Sequence, residues 1–296
     1  MPRQTYLIGL IGAGVGPSLS PALHEREADH LGLRYLYRLI DIDVLERPAT
    51  AVGDLVRAAR DLGFDGLNIT HPCKQHVIAH LDALSPQAAE LGAVNTVVFE
   101  DGRAIGHNTD VTGFAAAFTR GLPDAAKEQV VLLGAGGAGA AVAHALLTLG
   151  TGRLTVVDAV PERAAALADS LNLHFGEKRA HFEPADTLAA HVAEADGIVH
   201  ATPTGMAAHP GLPLPEELLH PGLWVADIVY RPLETALIRA ARARGCAVLH
   251  GGGMVVFQAV DAFRIFTGRE PDADRMLAHF TEITDQETAL RTAYGA

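Results

Sequence analysis

Three stretches of this sequence hold residue types that do chemistry together. In the first, the apolar run Gln129-Val-Val-Leu-Leu133 feeds the turn Gly134-Ala-Gly136-Gly137-Ala138-Gly139. Small residues follow as far as Gly150, and a second apolar run from Arg153 ends in Asp158, 19 residues after Gly139. This is a G-x-G-x-x-G turn in the setting that gives it meaning. Gly134 makes the tight turn, Gly136 admits a pyrophosphate to the backbone, and Gly139 lets helix pack on strand. The helix start turns N–H groups and the positive end of its dipole toward phosphates. A glycine-rich structural turn is the competing reading, and the ordered strand, turn, helix, strand and carboxylate weigh against it. The second stretch is Asn68-Ile-Thr70-His-Pro72-Cys-Lys74, where an amine and a hydroxyl leave a short apolar strand. The third is Ser18-Leu-Ser20-Pro21, two hydroxyls at a helix start, suited to a carboxylate or simply to capping.

The elements that must position these groups alternate between strand and helix. Tyr6–Ile11 reads as a strand, and Gly12-Ala-Gly14-Val-Gly16-Pro17 after it mimics a phosphate loop. Pro17 stands at the third glycine position and has no N–H to give, so it is not read as one. Ser20 is expected as N-cap and Pro21 as first residue of a helix to Leu31, closed by Gly32. Tyr35–Asp41 and Gly66–Ile69 read as strands with a helix at Thr50–Leu62 between them. Pro72 is expected to start a helix on which His76 and His80, four apart, could share a metal; without a third ligand they read as a solvated face. Val94–Phe99 and Arg103–Gly106 flank Asp101-Gly102 as a hairpin. Asp110 follows Asn108-Thr109 as a site carboxylate or as the N-cap of a helix through Phe118.

After Gln129 the alternation continues. Helices are expected at Pro161–Leu173, Thr187–Glu194, Leu233–Arg244 and Val255–Phe266, and strands at Gly197–His200, Trp224–Ile228 and Ala247–Leu249. The tail from Pro271 reads as one helix with a frayed end. Three strand ends give way to Ala201-Thr202-Pro203-Thr-Gly-Met206, Asp227-Ile228-Val-Tyr230 and Gly251-Gly-Gly253-Met254.

Composition narrows the class. A chain of 296 residues exceeds what one core usually serves, so two domains are expected. The 5% aromatic content and many Ala and Gly suit closely packed α/β layers. A net charge of −12 argues against nucleic acid as a partner. Cys73 and Cys246 are too few for a disulfide framework and point to a reducing cytoplasm. The start Met-Pro-Arg-Gln-Thr-Tyr lacks a signal-peptide core, and no apolar run reaches membrane-spanning length. No membrane partner is expected.

Taken in order, these motifs resemble the shikimate/quinate dehydrogenase family: Ser18-Leu-Ser20-Pro21, Asn68 to Lys74, Ala93-Val-Asn95-Thr96, Asn108-Thr-Asp110, the glycine turn, Ala201 to Met206, Asp227 to Pro232, and Gly251 to Gln258. The resemblance covers nearly the whole chain. It implies an α/β protein of two domains. Residues 1–112, with 256–296 returning to them, would bind substrate, and 113–255 would form a Rossmann doubly wound parallel sheet. The implied activity is hydride transfer between NAD and the C3 hydroxyl of shikimate, giving 3-dehydroshikimate, with quinate and 3-dehydroquinate as a second pair. The partner is thus a small-molecule substrate, and the protein a monomer or homodimer.

The same resemblance assigns roles. Lys74 and Asp110 are catalytic, Lys74 exchanging the proton and Asp110 holding it and the reacting hydroxyl. Ser18, Ser20 and Tyr230 would take the substrate carboxylate. Asn68, Thr70, Lys74, Asn95, Asp110 and Gln258 would hold the ring hydroxyls. For the dinucleotide, Gly134, Gly136, Gly137, Ala138 and Gly139 would cradle the pyrophosphate, with Asp158 and Arg163 at the adenosine ribose. Thr202, Pro203, Met206, Ile228, Gly251 and Met254 would line the nicotinamide side. No metal is implied. Two departures stand out: Cys73 occupies a position where the family carries a larger residue, and Gly251-Gly-Gly253 is unusually glycine-rich. An NADP-dependent biosynthetic shikimate dehydrogenase is the alternative enzyme, and a non-catalytic shikimate or NAD sensor the alternative of another class. Intact Lys74 and Asp110 speak against the sensor. Asp158, where NADP-using relatives carry Asn-Arg-Thr, speaks for NAD.

Overall fold

The computed structural model describes residues 5–294. The chain divides into two compact units, Met1–Thr109 with Val256–Ala296, and Asp110–Val255. The chain start read for a signal peptide (residues 1–4) and the last two residues of the expected frayed end lie outside the described residues.

In the first unit, β1 (Thr5–Gly12), α1 (Ser20–His30), β2 (Arg34–Asp41), α2 (Val52–Asp61), β3 (Gly66–Ile69), β4 (Ala83–Leu84), α3 (Pro86–Leu91), β5 (Thr96–Glu100) and β6 (Arg103–His107) follow in order. They build a six-stranded sheet, β2-β1-β3-β5-β6-β4. β1 pairs in parallel with both β2 and β3, whereas β5 runs antiparallel to β3 and β6. Asp101 (φ 49°) and Gly102 (φ 76°) close the β5–β6 hairpin, the two left-handed residues that a tight right-twisted turn demands. Ile11, Val52, Val56, Leu67, Val77 and Val97 form the core on one side of the sheet, and Cys73 is fully buried among them. The smaller Cys73 side chain thus sits in packed core. Tyr6, Ile8, Tyr35, Tyr37, Phe263 and Phe266 form a second, aromatic core.

The second unit begins with α4 (Asp110–Gly121), then β7 (Gln129–Leu133), α5 (Gly137–Thr148), β8 (Arg153–Val157), α6 (Pro161–Phe175), β9 (Ala180–Phe182), α7 (Leu188–Glu194), β10 (Gly197–His200), β11 (Trp224–Asp227), α8 (Ala236–Ala243) and β12 (Ala247–His250). All six strands are parallel, in the order β12-β11-β10-β7-β8-β9. The order reverses between β7 and β10, and at such a switch point the strands' carboxyl ends open a crevice for ligand. Strands buried along their length read as continuous apolar runs, as β10 and β11 do. α9 (Gly252–Thr267) starts in this unit and continues into the first, where α10 (Ala273–Tyr294) follows.

Four expectations are corrected. Ser20 is the first residue of α1 rather than its N-cap; the cap position is Leu19, with helical dihedrals and no side-chain cap bond. Ser18 supplies the local hydroxyl instead, its Oγ accepting the Ser20 N–H at 3.2 Å. Pro72 starts no α-helix: it follows a cis peptide bond, enters turns, and is succeeded by a short 3-10 helix, His76–His80. At three residues per turn, His76 and His80 point about 120° apart, so the four-residue spacing brings no ligand pair together. Asp110 stands within α4 as its first residue, and that helix reaches Gly121 rather than Phe118. The strands β4 and β9 and the helix α3 are too short to have left a periodic signal.

Candidate active site

The candidate substrate residues of the first unit gather at one end of its sheet because of strand direction. β1 and β3 are parallel, with Ile11 beside Ile69, so Ser18 and Ser20 after one strand share an end with Thr70 and Lys74 after the other. β5 is antiparallel and places Thr96 opposite Asn68, so Asn95, just before β5, falls at that same end. β6 returns to it with His107 opposite Thr96, delivering Asn108 and Thr109. The loops are tied to one another. Ala13 N–H donates to His71 O at 2.9 Å and Thr70 N–H to Ile11 O at 2.9 Å. The Thr70 methyl lies 2.2 Å from where a Cβ on Gly12 would stand, so only glycine at 12 permits this approach. Lys74 is half-buried, and its carbonyl accepts the Val94 N–H at 2.9 Å.

Behind these loops runs a buried polar network. Tyr37 Oη–H donates to Asn68 Oδ1 at 2.7 Å, and Asn68 Nδ2 donates to Asn95 O at 3.2 Å and Thr96 Oγ1 at 3.1 Å. Both Asn68 amide hydrogens are therefore spent inside the protein, and what it can offer a ligand is an acceptor lone pair on Oδ1. Asn95 Oδ1 accepts the Thr109 N–H at 2.8 Å and the Thr96 hydroxyl at 3.0 Å, while its Nδ2 donates to Thr109 Oγ1 at 2.9 Å. Thr96 and Thr109 stand inside quoted motifs without a role of their own, and Tyr37 is not marked at all, since nothing in the sequence marks a contact 31 residues away such as Tyr37–Asn68. Gln258, half-buried on α9, belongs to this unit, whereas Asp110 (5% exposed) and Tyr230 belong to the second. Burial pushes the Tyr230 phenol up, with Arg231 partly opposing, so it remains an O–H donor at neutral pH.

In the second unit the candidate cofactor residues lie on the turns and first helical turns that follow the strands' carboxyl ends. Gly134 adopts φ 106°, and a Cβ there would lie 2.7 Å from Ala201 O. A Cβ on Gly139 would lie 2.0 Å from Gly134 O, so helix α5 seats directly on the end of β7. Around Gly136 and Gly137, by contrast, nothing stands within 4 Å of a would-be Cβ, which leaves the room that a pyrophosphate needs. Ala138 follows in the first turn of α5, whose N-cap is Gly136. These residues fit a dinucleotide. Asp158 directly follows β8, and its carboxylate is held on both oxygens: Ala135 N–H donates to Oδ2 at 2.7 Å and Val160 N–H to Oδ1 at 2.8 Å. Arg163 lies exposed in the first turn of α6. Half-buried Thr202 and exposed Pro203 and Met206 follow β10. Ile228, Gly251 and Met254 come together around one small void of about 10 Å³. Within the glycine-rich 251–253 segment, Gly251 has a steric reason, since a Cβ there would lie 2.4 Å from Ile228 O.

Comparison with known proteins gives the family. Residues 10–97 match the family model described as shikimate dehydrogenase substrate binding domain, 117–208 that of shikimate / quinate 5-dehydrogenase, and 251–279 that of the shikimate 5'-dehydrogenase C-terminal domain. A shikimate dehydrogenase (NADP(+)) of Streptomyces avermitilis is 76% identical over 96% of this chain and 97% of its own. A quinate/shikimate dehydrogenase (NAD(+)) of Corynebacterium efficiens is 50% identical over 96% of this chain and 100% of its own. Among solved structures, quinate dehydrogenase from Corynebacterium glutamicum in complex with NAD superposes with a TM-score of 0.87 at 48% identity, covering 94% of this chain and 99% of that one. The chain belongs to the shikimate/quinate dehydrogenase family.

Proposed function

We propose that this protein is an NAD-dependent dehydrogenase that oxidises the C3 hydroxyl of shikimate to the ketone of 3-dehydroshikimate and catalyses the reverse, with quinate and 3-dehydroquinate as a second pair. The dinucleotide, when bound, supplies the hydride acceptor or donor. The chain supplies position and the proton. Lys74 takes the proton from the hydroxyl during oxidation and returns it during reduction, as a general base and acid. Asp110 orients Lys74 and the reacting hydroxyl. Ser18, Ser20 and Tyr230 donate to the carboxylate, and Asn68, Thr70, Asn95 and Gln258 hold the ring hydroxyls. Apart from Asp110 and Tyr230, the residues that bind the acid belong to residues 1–109 with 256–296, and those that bind the dinucleotide to residues 110–255.

The observation that carries the cofactor choice is the Asp158 carboxylate fixed by two backbone N–H groups at the end of β8. A carboxylate there accepts hydrogen bonds from ribose hydroxyls, and it would repel a 2′-phosphate carrying about −1.5 to −2 charge. The second reading is NADP, favoured by the name of the Streptomyces avermitilis relative. Initial rates with shikimate and quinate, each with NAD and with NADP, test both readings. NAD preferred by at least about tenfold in kcat/KM, roughly 1.4 kcal/mol, is the expected result; a preference for NADP overturns it. The buried free thiols Cys73 and Cys246 support a reducing cytoplasm as the site of action. Among the described residues no helix is long and apolar enough to cross a membrane.

A further inference from the structure

Behind the nicotinamide-side loop lies a buried chain of polar side chains that the reaction itself does not use. His200 ends β10 and is fully buried, as are Asp227 at the end of β11 (1% exposed) and Thr235, the N-cap of α8. The Asp227 carboxylate can only accept, so its three partners must all donate: His200 Nδ1 at 2.9 Å and Val229 N at 3.0 Å to Oδ1, and Thr235 Oγ1 at 2.7 Å to Oδ2. The Thr235 oxygen accepts the Ile238 N–H at 3.2 Å, which closes the cap of α8. With the proton placed on Nδ1, His200 Nε2 becomes an acceptor, and its partner at 2.5 Å is the Thr202 hydroxyl. Thr202 Oγ1 in turn accepts the Thr204 N–H at 3.3 Å. With the imidazole neutral, the hydrogens of this chain all point toward Asp227. On its other side, the Thr202 methyl lies 3.0 Å from where a Cβ on Gly134 would stand. Thr202 is pinned between His200 and the first glycine of the pyrophosphate turn.

We infer that His200, locked in one tautomer by Asp227 and Thr235, is a positioning residue that sets Thr202 and so fixes the loop Ala201–Met206 for the dinucleotide. The inference rests on the reading of that loop as the nicotinamide side. Sequence alone shows only a polar residue ending the apolar run Gly197-Ile-Val-His200. A carboxylate at 1% exposure left short of a donor is costly, so the test must separate fold from positioning. An Asn amide can reach where Nδ1 stands but not where Nε2 stands; a Gln amide reaches the latter.

The variants are His200→Asn, His200→Gln, Thr202→Val and the double variant His200→Asn/Thr202→Val, each titrated with NADH and with NADPH by nucleotide fluorescence. His200→Asn is expected to keep Tm close to wild type, raise the dinucleotide Kd about three- to tenfold, the effect of one lost hydrogen bond, and leave KM for shikimate unmoved. His200→Gln is expected to lower Tm yet bind the dinucleotide more tightly than His200→Asn. Thr202→Val should match His200→Asn, and the double variant should be no worse than either alone. Equal Kd for wild type and His200→Asn, or additive effects in the double variant, overturns the inference while leaving the cofactor reading standing. Failure of the wild-type protein to bind either dinucleotide overturns both.

Discussion

Asp158 shows how a residue legible in the sequence gains meaning from its contacts. Its type and spacing pointed to the ribose, but only the structure shows the carboxylate bonded to Ala135 of the glycine turn and to Val160. Replacing it therefore has two effects. Asp158→Ala is expected to weaken NAD use and narrow the gap to NADP, and also to lower stability by about 1–3 kcal/mol, because two backbone donors lose a charged acceptor. The double change Asp158→Asn/Ala159→Arg should favour NADP, since a guanidinium replaces the repelling charge. Dinucleotide kcat/KM ratios and urea unfolding check the two effects separately, and an unchanged ratio would remove Asp158 from specificity. Lys74→Ala is expected to lower kcat by roughly 10²–10⁴ with dinucleotide affinity little changed; a near wild-type kcat would exclude Lys74 as the proton carrier. The serines now separate as well. Ser18 Oγ accepts the N–H of the first helical residue while Ser20 caps nothing, so Ser18→Ala should cost the fold more than Ser20→Ala. The double variant should raise KM for shikimate at least about tenfold, as expected for two lost donors to an anion.

At the scale of elements, the sequence was most legible where a signal is local and repeated. β3 and β10 begin and end where the apolar runs do, and Asp101-Gly102 makes the turn its residues demand. It was least legible where a contact spans the chain. On α1, Glu27 is 2% exposed because Arg275 of α10 grips both carboxylate oxygens, at 2.8 and 2.5 Å, from 248 residues away. No spacing announces such a pair. One turn earlier, His24 is fully buried among Tyr35, Tyr37, Phe263 and Phe266, with Nδ1 3.0 Å from the Tyr35 hydroxyl. Burial pushes its pKa down to about 3. The unfolded chain, with an ordinary histidine near 6.5, then binds more protons between those values, so unfolding gains as pH falls through that window. Stability should be full above about pH 6.5 and decline below it, with this residue contributing up to about 1.4 kcal/mol per pH unit. Urea unfolding at pH 7, 6, 5 and 4 should show a shallower decline for His24→Gln, which cannot take up the proton. Parallel pH profiles for the two proteins would exclude His24 as the source.

At the scale of the whole chain, two sheets with separate cores each gather polar residues at the carboxyl ends of parallel strands, and strand order decides which residues meet. That order was legible only in part. In residues 110–255 the regular alternation implies a parallel sheet, and the glycine turn marks its switch point. In the first unit the hairpin turn announced β5 beside β6, but the antiparallel pairing of β5 with β3 and the two-residue β4 had no such signature. Yet β5 is what carries Asn95 to the end shared by Thr70 and Lys74. If the first unit binds the acid and the second the dinucleotide, each ligand should protect its own unit from local opening. A ligand at 100 times its Kd stabilises the bound form by about 2.7 kcal/mol, which slows exchange through openings that release it by about a hundredfold. Backbone hydrogen exchange with shikimate alone should therefore slow around residues 12–20, 68–75 and 94–97. With NADH alone it should slow around 134–140, 158–163 and 201–206. Global unfolding would instead shift every slow amide equally, so the contrast between segments carries the information. Should shikimate protect 134–140 more than 68–75, the assignment of ligand to unit would be reversed, and the roles of Ser18, Ser20, Thr70 and Asn95 as acid-binding residues would fall with it.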